Sequence, residues 1–181
     1  MTRLTPVQAE QTKDSVKGTL DELAARGGAL GPMVLAMANS SALLRGYADL
    51  NRAMKRSHLD RKITERISLA VQEWLGCAYC IAAHSDAAHA LGLSDTDIEL
   101  ARQGTATDPK VAAVVAFAQQ VAAAPAEIAD NDVETLRRLG YRDEQIADVV
   151  GLVALNVLTG SFNLVAGIEP ADARQRCLGA A

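Results

Sequence analysis

Residues 65–84 have the sequence ERISLAVQEWLGCAYCIAAH, and this stretch predicts two helices joined by a turn at Gly76. Apolar side chains recur with helical spacing on both sides of that glycine, a residue type that commonly ends helices. The first helix is predicted over residues 59–75, with Asp60 as its N-terminal cap, and the second over residues 77–91. One stripe of the first helix is expected to face the core. It consists of Ile63, Ile67, Ala70 and Trp74.

Helical periodicity also dominates the rest of the chain, and no stretch shows strand alternation or a hairpin turn signal. The N-terminal helix is expected to carry Pro6 in its first turn, to extend over residues 6–26 and to end at Gly27-Gly28. The remaining predicted helices cover residues 33–37, 42–54, a short segment after Ser94, 111–123, 132–139 and 143–168. These patterns predict a single all-α domain over residues 1–181.

The composition is that of a soluble globular protein. The chain has 181 residues, 49% of them hydrophobic, and a formal net charge of −4, which excludes disorder as the main state. Asp and Glu (22) outnumber Lys and Arg (18), which excludes a strongly basic nucleic-acid-binding protein. Five basic residues without interleaved aromatics are expected to form a solvated helix face. They are Arg52, Lys55, Arg56, Arg61 and Lys62.

Two stretches bear on location and assembly. The first six residues lack an apolar signal region, so a cytoplasmic protein is expected. Residues 146–168 are interrupted by Asp148, Asn156 and Asn163, which predicts a buried helix rather than a membrane span. The two asparagines are expected to be buried hydrogen-bonding groups rather than catalysts. Because this helix is apolar around most of its circumference, a homo-oligomer is expected, with the central helix of a monomer as the alternative.

Three residues near the start of the second helix have reactive side chains. Cys77, Cys80 and His84 lie within about 60° of one another at ~100° per residue, so all three point into one sector of the helix. Near a helix N-terminus one of two such thiols is favoured as a thiolate, and the other can close a disulfide with it. His84, one turn after Cys80, can accept its proton.

Other roles for the cysteine pair are half of a zinc site or two inert core thiols. A structural zinc site needs four ligands, and the sequence has no second close pair of cysteines. His58 and His89 are expected at the surface, and Cys177 is expected to be a bystander. Neither a metal nor a bound organic cofactor is expected.

Two glutamates of the first helix are candidates for an acid near the cysteines. If the chain reverses at Gly76, Glu65 would face the turn that contains His84, and Glu73 would lie near Cys77. On geometry alone, an exposed glutamate is the expectation for either residue.

The combined pattern resembles the AhpD-like alkylhydroperoxidase family, which belongs to the carboxymuconolactone decarboxylase superfamily. The resemblance rests on residues 65–71 and 76–80, on His84 and on residues 92–94, and it covers residues 43–103. The later helices resemble the peroxidase-related branch of that family more loosely, through Asn156, Phe162 and Asn163.

The resemblance implies an oligomer-forming helical bundle that reduces hydroperoxides with thiols. It implies that Cys77 and Cys80 are a redox-active disulfide pair, that His84 accepts a proton and that Glu65, rather than Glu73, is the distal acid. In the founding enzymes a histidine directly precedes the second cysteine. The corresponding residue here is Tyr79, a candidate neighbour of the site, and this departure shortens the implied proton relay.

The function predicted from the sequence is that of a cytoplasmic, antioxidant thiol peroxidase. It would use a hydroperoxide and an external dithiol or thiol-protein reductant, and would form a dimer, trimer or hexamer without binding nucleic acid or membrane. Cys80 is expected to react first because His84 is one turn away, and Cys77 to be the more accessible, resolving sulfur. The helix dipole favours the opposite order. The alternatives are a carboxymuconolactone decarboxylase-like lyase and a non-enzymatic zinc or redox-sensing helical module.

Overall fold

The computed structural model describes residues 2–9, 12–25 and 30–170, and within these ranges it contains nine α-helices and no β-strand. The all-α prediction is therefore confirmed. A short 3-10 turn at Pro125–Glu127 separates the seventh helix from the eighth. The helices are α1 (Asp14–Ala25), α2 (Pro32–Met37), α3 (Ser41–Met54), α4 (Arg61–Leu75), α5 (Ala78–Ala90), α6 (Asp95–Arg102), α7 (Pro109–Ala123), α8 (Asp130–Arg138) and α9 (Asp143–Ala166).

The N-terminal helix is shorter than the sequence predicts. It begins at Asp14, so the expectation of a helix from Pro6 is wrong. The backbone before it bonds to other elements instead of forming helical turns: the Val7 N–H donates to the Leu35 carbonyl at 3.0 Å, and the Arg3 N–H donates to the Ala166 carbonyl at 2.7 Å. The expected terminator Gly27-Gly28 lies outside the described residues.

The local signals around α4 act as expected. The Asp60 side chain accepts a hydrogen bond from the Lys62 N–H at 2.8 Å and caps the N-terminus of α4. Gly76 ends the helix with φ of 72°, a left-handed conformation that glycine adopts without strain. The chain reverses at this residue, and α5 packs back along α4.

The core is organised around α4 and α9, which pack against each other. Ile67, Val114 and Val149 lie in a buried cluster that joins α4, α7 and α9. Leu20 and Leu44 lie in a second cluster between α1, α2 and α3, and other side chains of α9 pack against it. The position of α9 between these clusters places its inner face next to the turn at Gly76.

One residue of the predicted core-facing stripe is misplaced. Ile67 and Ala70 are fully buried, but Trp74 is 45% exposed. Trp74 lies in the last turn of α4 and belongs to none of the buried clusters, because the stripe leaves the core where the helix ends. The expectation that Trp74 faces the core is therefore wrong.

By length and composition alone, α9 could cross a membrane, and 39% of its most apolar 18-residue window is buried in the protein. It packs against α2, α3, α4 and α7, and it buries the polar side chains of Asn156 and Asn163. A lipid-facing span would have to desolvate those amides without partners. The side of α9 that faces the core therefore supports the prediction of a buried helix rather than a membrane span.

Gly160 of α9 lies against side chains of α4, and its replacement by alanine should destabilise the fold. A Cβ atom there would lie 2.4 Å from Gln72 Oε1 and 2.7 Å from Leu75 Cδ1. Overpacking of this kind costs ~1–3 kcal/mol of unfolding free energy. Gly46→Ala is the matched control because its Cβ meets nothing within 4 Å, so it should be neutral or stabilising. Urea denaturation measures both, and equal stability of Gly160→Ala and wild type would contradict the packing.

Candidate active site

The two cysteines lie at the turn between α4 and α5 and form a disulfide. Cys77 is the N-cap of α5, and its sulfur accepts a hydrogen bond from the Cys80 N–H at 3.4 Å. The Cα atoms of the two residues are 5.4 Å apart. The turn at Gly76 therefore brings one sulfur onto the end of α5 and the other into its first turn, a separation at which a disulfide can form.

A carboxylate and an imidazole meet one helical turn beyond the disulfide. Glu65 Oε2 lies 2.8 Å from His84 Nδ1, a contact between α4 and α5. Their side chains are only 13% and 29% exposed, respectively, so the pair is shielded from bulk solvent. The carboxylate fixes the orientation of the ring, and a carboxylate paired with an imidazole is a combination that can transfer protons.

Glu73, the rival acid, lies elsewhere. Its carboxylate bonds to Arg102 Nε at 2.8 Å, and both side chains are more than one third exposed. This hydrogen bond raises the pKa of Arg102. Glu73 thus takes part in a surface ion pair, whereas Glu65 lies beside His84.

A third element, α9, contributes an amide to the cysteine pair. Asn163 Nδ2 donates to Cys80 Sγ at 3.2 Å across 83 residues of sequence, and the residue is 1% exposed. The sequence predicts a buried hydrogen-bonding group at Asn163 but not that the acceptor is a sulfur. The available signal was the polar pair Asn156 and Asn163, two turns apart on one face of an apolar helix.

The same face of α9 continues into a buried polar network. Gln72 Nε2 donates to Asn156 Oδ1 at 2.9 Å, and Asn156 Nδ2 donates to Ser68 Oγ at 3.1 Å. All three side chains are at least 97% buried. These bonds fix the register between α4 and α9 and so hold Asn163 at the sulfur, although Gln72 Oε1 has no hydrogen-bond partner among the described residues.

A cavity of about 540 Å³ opens beside Cys80. Its volume lies within the ~300–1,000 Å³ range of small-molecule sites. It is lined by side chains of α3, α4, α5 and α9 and by a few residues of α2 and the α3–α4 loop. The lining includes Glu65, Tyr79, Cys80, His84 and Asn163.

The two sulfurs differ in their access to this cavity. Among the described residues, Cys80 lines the cavity and Cys77 does not. Cys80 is 4% exposed and Cys77 only 1%, because Cys77 is enclosed in the turn between the helices. The expectation that Cys77 is the more accessible cysteine is therefore wrong.

Two tyrosines form part of the cavity wall. Tyr79, which stands where the founding enzymes have histidine, lines the cavity together with Tyr47. Burial, and secondarily the neighbouring Tyr79, raises the pKa of Tyr47. The Tyr47 hydroxyl therefore keeps its proton through neutral and mildly alkaline pH and remains a hydrogen-bond donor to a ligand in the cavity.

The other histidines are at the surface, as expected. His58 contacts Asp148 at 3.0 Å and His89 contacts Asp95 at 3.3 Å, and the two imidazoles are about half exposed. In the part of the chain that the structure describes, no group of three or more His, Cys, Asp or Glu side chains is placed to hold a metal ion. Cys177 lies outside that part.

Residues 41–123 match the sequence model of the carboxymuconolactone decarboxylase family. The chain is therefore similar to this family over that segment, which is less than half of its length. The matched segment includes the disulfide, Glu65 and His84, and the resemblance found in the sequence is confirmed at this level. No curated protein matches the chain in sequence.

Solved structures share the fold of this chain over nearly its whole length. An alkylhydroperoxidase AhpD core protein from Ralstonia eutropha, described as peroxidase-related, has a TM-score of 0.80 at 23% identity, covering 95% of this chain and 93% of its own. A peroxidase-related protein from Silicibacter has a TM-score of 0.77 at 20% identity, covering 93% and 92%. The debrominase Bmp8 has a TM-score of 0.77 at 19% identity, covering 97% and 96%. These likenesses establish the AhpD-like fold.

Asn163→Leu should make Cys80 less reactive at neutral pH. A hydrogen bond to a charged acceptor contributes ~1.5–3 kcal/mol, so losing the amide should move the pH midpoint of Cys80 alkylation upward by about one pH unit or more. The measurement is the rate of iodoacetamide labelling against pH in a protein whose other two cysteines are serines. Thr159→Val is the control, since Thr159 lines the cavity but bonds to backbone carbonyls. An unchanged profile in Asn163→Leu would show that the amide does not stabilise the thiolate.

Proposed function

We propose that this chain is a thiol-dependent peroxidase that uses Cys77 and Cys80 as its redox pair. The observation that carries the proposal is the arrangement at the cavity. Cys80 is disulfide-bonded to Cys77, and it lines the same cavity as the Glu65–His84 pair. A reactive sulfur, a resolving sulfur and a proton relay are the components that peroxide reduction requires.

In the reduced protein, His84 accepts the proton of Cys80, and the thiolate attacks the terminal oxygen of the hydroperoxide ROOH. The O–O bond breaks, the sulfur is oxidised to sulfenic acid, and the leaving alkoxide takes the proton from His84 to give ROH. Glu65 stabilises the imidazolium between the two proton transfers. Asn163 stabilises the thiolate by donating to the sulfur.

The cycle closes through Cys77. Its thiolate attacks the sulfenic sulfur of Cys80, water leaves, and the disulfide forms. An external dithiol then reduces the disulfide and is itself oxidised, so the net reaction is ROOH + D(SH)₂ → ROH + H₂O + DS₂. Because Cys77 is enclosed and Cys80 faces the cavity, the reductant is expected to reach the disulfide through the cavity.

A second candidate is reductive debromination. The relative Bmp8 is a debrominase, and a structure of its C82A variant contains 2,3,4-tribromopyrrole, with a TM-score of 0.72 to this chain. The same dithiol could supply the two electrons, in the balanced reaction ArBr + 2 RSH → ArH + HBr + RSSR. The lyase alternative, by contrast, makes no use of the cysteine pair.

One assay distinguishes the two redox candidates. The protein is incubated with dithiothreitol and, separately, hydrogen peroxide, cumene hydroperoxide or 2,3,4-tribromopyrrole, and product formation is followed. We expect catalytic formation of cumyl alcohol and no bromide release. Bromide release without peroxide turnover would replace the first candidate by the second, and the absence of both products would contradict thiol redox catalysis.

A homo-oligomeric, cytoplasmic protein is part of the proposal. Val150, Leu164 and Val165 of α9 are 49%, 41% and 63% exposed, and burying such apolar side chains favours association. Light scattering at micromolar concentration should report a mass that is a multiple of 19.1 kDa. A particle of 19.1 kDa would identify α9 as the central helix of a monomer instead.

A further inference from the structure

The cavity beside Cys80 has more room than hydrogen peroxide would fill. At ~30 Å³ per molecule of water-like size, a cavity of about 540 Å³ would remain mostly unoccupied around so small a substrate. An organic molecule would gain the contacts that a small peroxide leaves unused. The cavity volume therefore favours a substrate with a carbon body.

The wall of the cavity combines apolar, uncharged polar and charged side chains. Met33, Met54, Leu59, Leu152 and Leu155 provide the apolar part. Lys55, the residue that ends α3, and Arg61, the first residue of α4, also line the cavity, and both are exposed to solvent. Since Cys80 is 4% exposed, the two cations mark the solvent side and the sulfur marks the buried side.

The charges of Lys55 and Arg61 have no counter-ion in the cavity. Glu65 is the single carboxylate among the described residues that line it, and that carboxylate is bonded to His84. Within the described part of the chain, neither Lys55 nor Arg61 has an ion-pair partner within 4.0 Å. Two of the five basic residues assigned to a solvated face therefore form a positive entrance to the cavity.

We propose that the substrate is an organic hydroperoxide that carries a carboxylate at the end remote from its O–O bond. This inference rests on the proposed peroxidase function and extends it to a substrate class. The carboxylate binds Lys55 and Arg61 at the entrance, the carbon body packs on the methionines and leucines, and the hydroperoxide reaches Cys80. The redox step is the one given above, and the carboxylate takes no part in it.

The test compares two substrates of the same carbon skeleton, one with a carboxylate and the other with that carboxylate masked as a methyl ester. They are cumene hydroperoxide bearing a para-carboxylate and its methyl ester, assayed at low ionic strength with dithiothreitol as reductant. Two solvent-exposed ion pairs contribute ~0.2–1 kcal/mol each, so kcat/KM should be several-fold to about tenfold higher for the carboxylate. A ratio near one in the wild-type protein would overturn the inference while leaving peroxidase activity established.

Matched double variants locate the effect. Lys55→Gln/Arg61→Gln should bring the carboxylate-to-ester ratio of kcat/KM close to one. Arg56→Gln/Lys62→Gln removes the same charge from neighbours that do not line the cavity and should keep the ratio. If the first double variant kept the preference, the recognition of the carboxylate would lie elsewhere and the inference would be wrong.

If neither peroxide turns over, the proposed peroxidase function is refuted. A binding measurement then still tests the inference about the carboxylate. Calorimetry with 4-isopropylbenzoate and 4-isopropylbenzyl alcohol compares a carboxylate with a neutral ligand of the same carbon body. The carboxylate should bind several-fold to about tenfold more tightly, and Lys55→Gln/Arg61→Gln should lose that difference. Equal affinities in the wild-type protein would overturn the inference.

Discussion

Cys80→Ser should reduce peroxide turnover to background. The change removes the sulfur that lines the cavity and accepts the Asn163 hydrogen bond, and neither the introduced hydroxyl nor the enclosed thiol of Cys77 can replace it. The measurement is the rate of cumyl alcohol formation with dithiothreitol. Cys177→Ser is the control and should turn over like wild type.

The order of the two cysteines is tested with the same set of variants. Cys77→Ser should form a sulfenic acid at Cys80 that a dimedone-type probe traps after one equivalent of peroxide, because the resolving thiol is absent. In Cys80→Ser the probe should find nothing at Cys77. Labelling confined to Cys77 in Cys80→Ser, with none at Cys80 in Cys77→Ser, would reverse the two roles.

Glu65→Gln should keep the fold and the disulfide but lose at least nine tenths of peroxide turnover. Positioned general acids and bases contribute ~10²–10⁴-fold, and the neutral amide no longer stabilises a charged His84. A larger thiolate fraction alone raises the rate by a smaller factor, because the nucleophilicity of the thiolate falls as the thiol becomes more acidic. The measurement is kcat/KM, with thermal unfolding to confirm the fold.

Glu73→Gln is the matched control for that change. Its carboxylate does not line the cavity and pairs with Arg102, so turnover should match wild type within about twofold. An active Glu65→Gln beside an inactive Glu73→Gln would show that the acid is assigned to the wrong glutamate.

Local sequence signals account for much of the fold and half of the candidate site. Helical spacing, the Asp60 cap and the Gly76 turn are set by a few neighbouring residues, and together they determine that α5 returns along α4. Once that reversal is known, the proximity of Glu65 to His84 follows from residue counting on two antiparallel helices.

The sequence did not predict the contacts between distant parts of the chain. The bond from Asn163 to Cys80 spans 83 residues and depends on how α9 lies against α5. The enclosure of Cys77 and the exposure of Trp74 likewise depend on where neighbouring helices end, which periodicity does not encode. Before α1, the backbone of Arg3 and Val7 bonds to the end of α9 and to α2 instead of forming helical turns.

The most direct test of the central claim is a single-turnover experiment. Fully reduced protein receives one equivalent of cumene hydroperoxide without any reductant, and thiols, alcohol and cross-linked peptides are measured. The proposal predicts one equivalent of cumyl alcohol, the loss of two thiols per chain and a Cys77–Cys80 disulfide identified by mass spectrometry. Unchanged thiols with no alcohol formed would contradict it.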